Sequence, residues 1–175
     1  LTIAGKLLGC YLCRKIGKEI LKGKIIETEA YIGQNDKACH ASTGMTERNK
    51  MMFAEAGRAY VYLVYGLYHC LNVVTEKKGF PAAVLIRAVE PIAGIETIQN
   101  NRKKKDSKNL TNGPGKICQA FLIDKKLNGV NLLTGKRLWL EPGEKIKSSQ
   151  IKTTPRIGID YAGKDAMLPW RFLLS

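Results

Sequence analysis

Short runs rich in apolar, aromatic and β-branched residues recur along the chain, and most have the length of strands. Cys13 to Lys18 and Lys24 to Ile32 predict two strands joined by a lysine-glycine turn near Gly23. Ala59 to Tyr65 and Tyr68 to Thr75 predict a pair meeting at a tight turn around Gly66. Ala82 to Val89 predicts an apolar strand with one charge, Arg87, and Leu138 to Glu141, Arg156 to Ile159 and Trp170 to Leu174 predict three more. Ala4 to Cys10 predicts a short helix. Pro91 suits the first position of a second helix, with Ile92, Ile95 and Ile98 as its stripe and Arg102-Lys103-Lys104-Lys105 as its cationic end. Gly113-Pro114-Gly115-Lys116 precedes a third, Ile117 to Ile123. Gly33 to Lys50 is polar, lacks a period and is long for a plain connection, as functional loops are. The expected fold is α+β: one domain over residues 1–175, with a curved, largely antiparallel sheet and flanking helices.

Strand alternation then places candidate chemistry. In Glu27-Thr28-Glu29-Ala30-Tyr31, Glu29 and Tyr31 share one face, while Ile26, Thr28, Ala30 and Ile32 form the other, apolar face. A carboxylate beside an aromatic ring fits base chemistry on a nucleic acid, and it equally fits an ordinary solvated strand residue.

Charge narrows the choice. Lys and Arg number 29 against 15 acidic residues, a net charge of +14, which makes nucleic acid the leading partner. The basic residues do not gather on one amphipathic helix, so a membrane surface fits less well. The apolar content of 45% supports a core, but no run is long enough to span a bilayer, and no secretory signal is recognisable. The chain begins at Leu1 rather than Met, so residues upstream are expected. The five scattered cysteines imply a reducing, intracellular compartment. Cys10-x-x-Cys13 is a lone pair, and His40 and His69 offer no finger spacing, so no metal or other cofactor is expected.

Several residues remain open between roles. Four of the seven tyrosines lie in Tyr60 to Tyr68. Tyr65, beside the Gly66 turn, could project as a wedge between base pairs, and Tyr31 and Tyr62 could sandwich an extruded base. The same run could be an aromatic sheet packed on helices. Arg87 needs a partner, for which Glu29 is the candidate, and Asn72 could read a base edge. Either could be a satisfied structural residue, as could His40. Gly113 to Lys116 could hold a phosphate or be a simple loop; it is not a P-loop.

In order along the chain, Glu27-Thr28-Glu29-Ala30-Tyr31-Ile32-Gly33, His40, Thr46-Glu47-Arg48-Asn49, Met52-Phe53 and Tyr60-Val61-Tyr62-Leu63-Val64-Tyr65-Gly66 resemble the alkyladenine, or 3-methyladenine, DNA glycosylases. Asn72, Leu85 to Pro91, Gly113 to Ala120, Arg156-Ile157-Gly158 and Arg171-Phe172 continue the likeness. The resemblance implies that Glu29 activates water with Arg87 close by, and that Tyr31, His40, Tyr62 and Asn72 form the pocket for a flipped base. It implies that Tyr65 fills the gap left in the duplex, and Lys116 remains the candidate for phosphate. A monofunctional glycosylase is expected, a monomer acting on double-stranded DNA with damaged purines, in cytoplasm and nucleoid or in the nucleus. A non-catalytic DNA- or RNA-binding module is the alternative. Near Gly44 the family commonly has an extra basic residue, and here Met45 occupies that stretch. Glu27 is expected to be structural.

Overall fold

The computed structural model describes residues 1–105 and 109–175. Among these residues eight strands form one curled sheet: β1 (Tyr11–Ile16), β2 (Glu19–Ile32), β3 (Ala59–Val64), β4 (Tyr68–Val74), β5 (Ala82–Ala93), β6 (Leu138–Glu141), β7 (Ile151–Thr154) and β8 (Arg171–Leu174). Neighbours follow the order β3-β4-β5-β2-β1-β6, and β8 joins β2 to β7. Every pair is antiparallel. Three helices pack against it: α1 (Thr2–Leu7), α2 (Ile95–Arg102) and α3 (Pro114–Ala120).

The long strand β2 organises the sheet. Residues 22–32 pair with β5; on its other side residues 19–24 pair with β1 and residues 27–29 with β8. The change of partner falls where the register with β5 shifts twice. Ile26 is an extra residue in β2 and Arg87 is an extra residue in β5. Such bulges bend a strand and re-aim its side chains. Leu21 and Ile25 face the main core before this point, and Thr28 and Ala30 are buried after it. Ile25, not Ile26, therefore takes the core position, while Glu29 and Tyr31 keep the opposite face. The main core lies between this inner face and the helices, where Ile98, Ile117 and Phe121 meet Leu21, Ile86 and Val89. A smaller cluster, including Phe53, Tyr60 and Ala83, supports Tyr31 and Tyr62.

Several boundaries differ from the sequence expectation. The β1–β2 turn is at Gly17 and Lys18, with Gly17 at φ 59, and Gly23 lies inside β2. A Cβ on Gly23 would stand 3.1 Å from the Phe121 ring and 2.9 Å from Val89, so close packing, not turning, is what that glycine permits. Pro91 does not start a helix. It pairs with Gly23 at a third register shift, a place where a sheet tolerates proline, and β5 runs on to Ala93. Ile92 is therefore a strand residue, and of the cationic run only Arg102 is helical. The first helix ends at Leu7, because Leu8 is already extended. The third begins at Pro114 and ends at Ala120, before Leu122 turns left-handed at φ 47. Arg156 to Ile159 is a loop; the strand there is β7, which ends before Pro155. Gly33 to Lys50 is irregular up to a short turn at Lys50–Phe53. No helix is long and apolar enough to cross a membrane among the described residues.

Candidate active site

A cavity of about 460 Å³ opens at the β3–β4 end of the sheet. Segments far apart in sequence wall it: β2 and the loop after it, the β3–β4 hairpin, Leu85 and Arg87 of β5, Pro114, and the loop Ile157 to Tyr161. Its volume is in the range of small-molecule sites.

Glu29 lies immediately behind the wall, with no exposed surface. Its Oε1 accepts the backbone N–H of Ile157 at 2.8 Å. Its Oε2 accepts the Tyr31 hydroxyl at 2.8 Å and Arg87 Nη1 at 3.3 Å. All three partners line the cavity. Arg87 also donates through Nε to Glu27 Oε1 at 2.9 Å, and Arg171 Nε reaches the same oxygen at 2.6 Å. The four charged groups thus form a chain, Glu29–Arg87–Glu27–Arg171, in which Glu27 bridges the two arginines. Burial alone pulls the Arg87 pKa down, but Glu29 and Glu27 outweigh it and hold the group above its ordinary value. Burial, reinforced by the neighbouring Glu29 charge, pushes the Tyr31 phenol far above its usual range, so it stays protonated and donates.

The aromatic wall follows from strand alternation on β3. Tyr60 and Tyr62 share a face, their rings 5.1 Å apart. His40 meets Tyr62 edge-on at 4.4 Å, and its Nδ1 lies 2.9 Å from the Tyr60 hydroxyl. Burial, then the charge of Arg48, lowers the His40 pKa, which favours a neutral ring. Burial raises both tyrosine phenols as well. Asn49 pins the loop beneath His40, its buried amide donating to the carbonyls of His40 and Gly44, each at 2.8 Å. Asn72, on β4, is buried and donates to the Tyr60 carbonyl at 3.2 Å, and it lines the cavity.

At the rim Tyr65 is 90% exposed. It and Gly66 are both left-handed, at φ 51 and 69, and the Leu67 N–H closes the turn on the Val64 carbonyl. This is the backbone that a primed hairpin turn requires. The turn lifts an aromatic ring off the surface at the mouth of the pocket. Lys116 stands apart: its Nζ donates to Asn112 at 2.7 Å, and of its loop only Pro114 lines the cavity.

The structure therefore brings together Glu29, Tyr31, His40, Tyr62, Tyr65, Asn72 and Arg87, and leaves Lys116 outside the cavity wall. Sequence reasoning gave no role to Ile157, Tyr161, Arg48, Asp36 or Arg156. The Arg156-Ile157-Gly158 run reads as part of a strand and of a resemblance, and nothing local ties it to Glu29. All five cysteines are free thiols; burial raises that of Cys70, on the cavity wall, to about 11.

The model of the family described as methylpurine-DNA glycosylase (MPG) matches residues 1–175. Three similar proteins each bear the name "Putative 3-methyladenine DNA glycosylase". That of Methanocella arvoryzae is 53% identical over 173 residues, 98% of this chain and 86% of that protein. That of Carboxydothermus hydrogenoformans is 51% identical, over 100% of this chain and 90% of that protein. That of Alkaliphilus oremlandii is 49% identical with the same coverage of both.

Proposed function

The chain belongs to the methylpurine-DNA glycosylase family, and from that premise we propose that the cavity takes an alkylated purine swung out of duplex DNA, while Glu29 activates the water that releases it. The activity is that of a DNA glycosylase acting on 3-methyladenine-type lesions, which places the chain at the start of base excision repair. The observation that carries the residue assignment is Glu29 itself: a fully buried carboxylate whose three hydrogen-bond partners all line the pocket.

Each step has a physical basis. The net charge of +14 supports a salt-dependent, sequence-independent hold on the phosphate backbone, to which Lys116 contributes. Flipping costs a few kcal/mol, and least for a damaged base. Tyr65 fills the vacated stack. The purine enters between Tyr31 and Tyr62, whose electron-rich faces favour a positively charged 3-methyladenine. His40 and Asn72 set which ring substituents fit.

A carboxylate accepts at about four lone-pair positions. Tyr31 and Arg87 occupy Oε2, and Ile157 takes one position on Oε1. The remaining position on Oε1 is where Glu29 takes a proton from water. The water oxygen bonds to the sugar C1′ as the C1′–N bond breaks, and the purine leaves with the bonding pair. Arg87 places its positive charge 3.3 Å from Oε2. No lysine lines the cavity among the described residues, which supports hydrolysis without Schiff-base chemistry or strand cleavage. We take the monomer as the acting unit.

Glu29→Gln keeps the shape of the side chain and removes the base. It should bind alkylated duplex as well as wild type and release 3-methyladenine about 10²–10⁴-fold more slowly, the usual contribution of a general base. Release at the wild-type rate would refute the assignment.

A further inference from the structure

We infer that Arg156 is a positioning residue for base release: locked by Asp36, it fixes the Ile157 N–H on the carboxylate of Glu29. The inference rests on Glu29 as the base.

The Arg156 and Asp36 side chains have no exposed surface, and they pair through two parallel bonds of 2.7 and 2.9 Å. From the same planar group Nη1 donates to the Ala30 carbonyl at 2.9 Å and Nη2 to the Asp165 carbonyl at 3.2 Å. The guanidinium lies over the rings of Tyr31 and Trp170, at 4.8 and 4.9 Å. Asp36 in turn accepts the N–H groups of Ile32 and Ala38. Ala30 follows Glu29 in the chain, and Ile157 follows Arg156. One guanidinium therefore ties down both ends of the 2.8 Å Ile157–Glu29 bond, each end one residue away.

A buried ion pair is by itself weak evidence of stabilisation, because desolvation offsets much of the attraction. Its clearest consequence here is geometric. Ile157 lies on a loop with no strand partner of its own, and the neighbouring Arg156 clasp is what ties its N–H to the strand that carries Glu29. That N–H occupies one of the two positions on Oε1 and so determines where the other, water-holding position points.

The test compares Arg156→Lys in two backgrounds. Lysine keeps the charge facing Asp36 but lacks the planar fork that bridges both carboxylate oxygens and two carbonyls. In single-turnover release of 3-methyladenine from alkylated duplex, the plateau rate should fall about tenfold to a hundredfold, as expected for a small misplacement of a reacting group. The half-saturating enzyme concentration should stay within about threefold of wild type, because the pocket walls remain. In the Glu29→Gln background, the same substitution should change the residual rate by less than about twofold, because Arg156 acts through Glu29. A wild-type plateau, or an equal loss in both backgrounds, would overturn the proposal. If Arg156→Lys does not fold by circular dichroism, Asp36→Asn takes its place in the same comparison. Failure of both to fold would assign the pair a structural role instead. Wild-type release by Glu29→Gln alone would be a different failure, that of Glu29 as the base.

Discussion

Arg87→Met separates the charge of the Glu29–Arg87–Glu27–Arg171 chain from its packing. Methionine keeps most of the apolar stem and removes the guanidinium. Glu29, with no exposed surface, is left with two neutral donors, Tyr31 and Ile157, and no cation in contact among the described residues. Breaking a buried pair from one side costs about 3–5 kcal/mol. For a domain of this size each kcal/mol lowers the melting temperature by about 2–4 °C, so the fall should be roughly 6–20 °C. Glu27 does not suffer the same way, because Arg171 still meets it at 2.6 Å. Adding Glu29→Gln should therefore recover about 1–3 kcal/mol, since the amide has no charge to desolvate. Urea unfolding of the wild type, the two single variants and the double variant measures this coupling directly. Additivity within about 0.5 kcal/mol would show that Arg87 does not hold Glu29 electrostatically.

Two further outcomes follow from the same geometry. Tyr65→Ser removes a stack worth about 1–3 kcal/mol, so lesion-duplex affinity should fall roughly 5- to 150-fold. Thermal stability should stay within about 0.5 kcal/mol, because the ring is 90% exposed; unchanged affinity would refute the wedge. Burial, then Arg48, holds the His40 pKa below its ordinary 6.5. Stability from the neutral ring is thus present above about pH 6.5 and is lost as pH falls through the depressed folded value. Between pH 7 and pH 5 the melting temperature should drop further for wild type than for His40→Gln, and parallel curves would refute the linkage.

Much of the site was legible because strands alternate and turns have local signatures. Glu29 and Tyr31 share a face by period alone, as do Tyr60 and Tyr62, and Gly66 announces the turn that lifts Tyr65 outward. The lone charge in the predicted strand Ala82 to Val89 announced a partner, and Glu29 is one of its two. The paired bulges at Ile26 and Arg87 were not legible. Each is extra only relative to the other strand, so neither leaves a mark on its own local pattern. Pro91 looked like a helix start for the same reason: the register shift that lets a strand hold it involves Gly23, nearly 70 residues earlier.

The sequence by itself determined the strand faces, the hairpin tip, the positive charge and the types of residue available for chemistry, because each depends on a few neighbours along the chain. Tertiary structure alone decided that Ile157 would cap Glu29 across 128 residues, Arg171 would brace Glu27 across 144, and Arg156 would lock onto Asp36 across 120. Those contacts depend on how β2 changes partner at its bulge and on where the chain after β7 returns. Local periodicity records which side of a strand a residue takes; only the closed fold determines what lies opposite it.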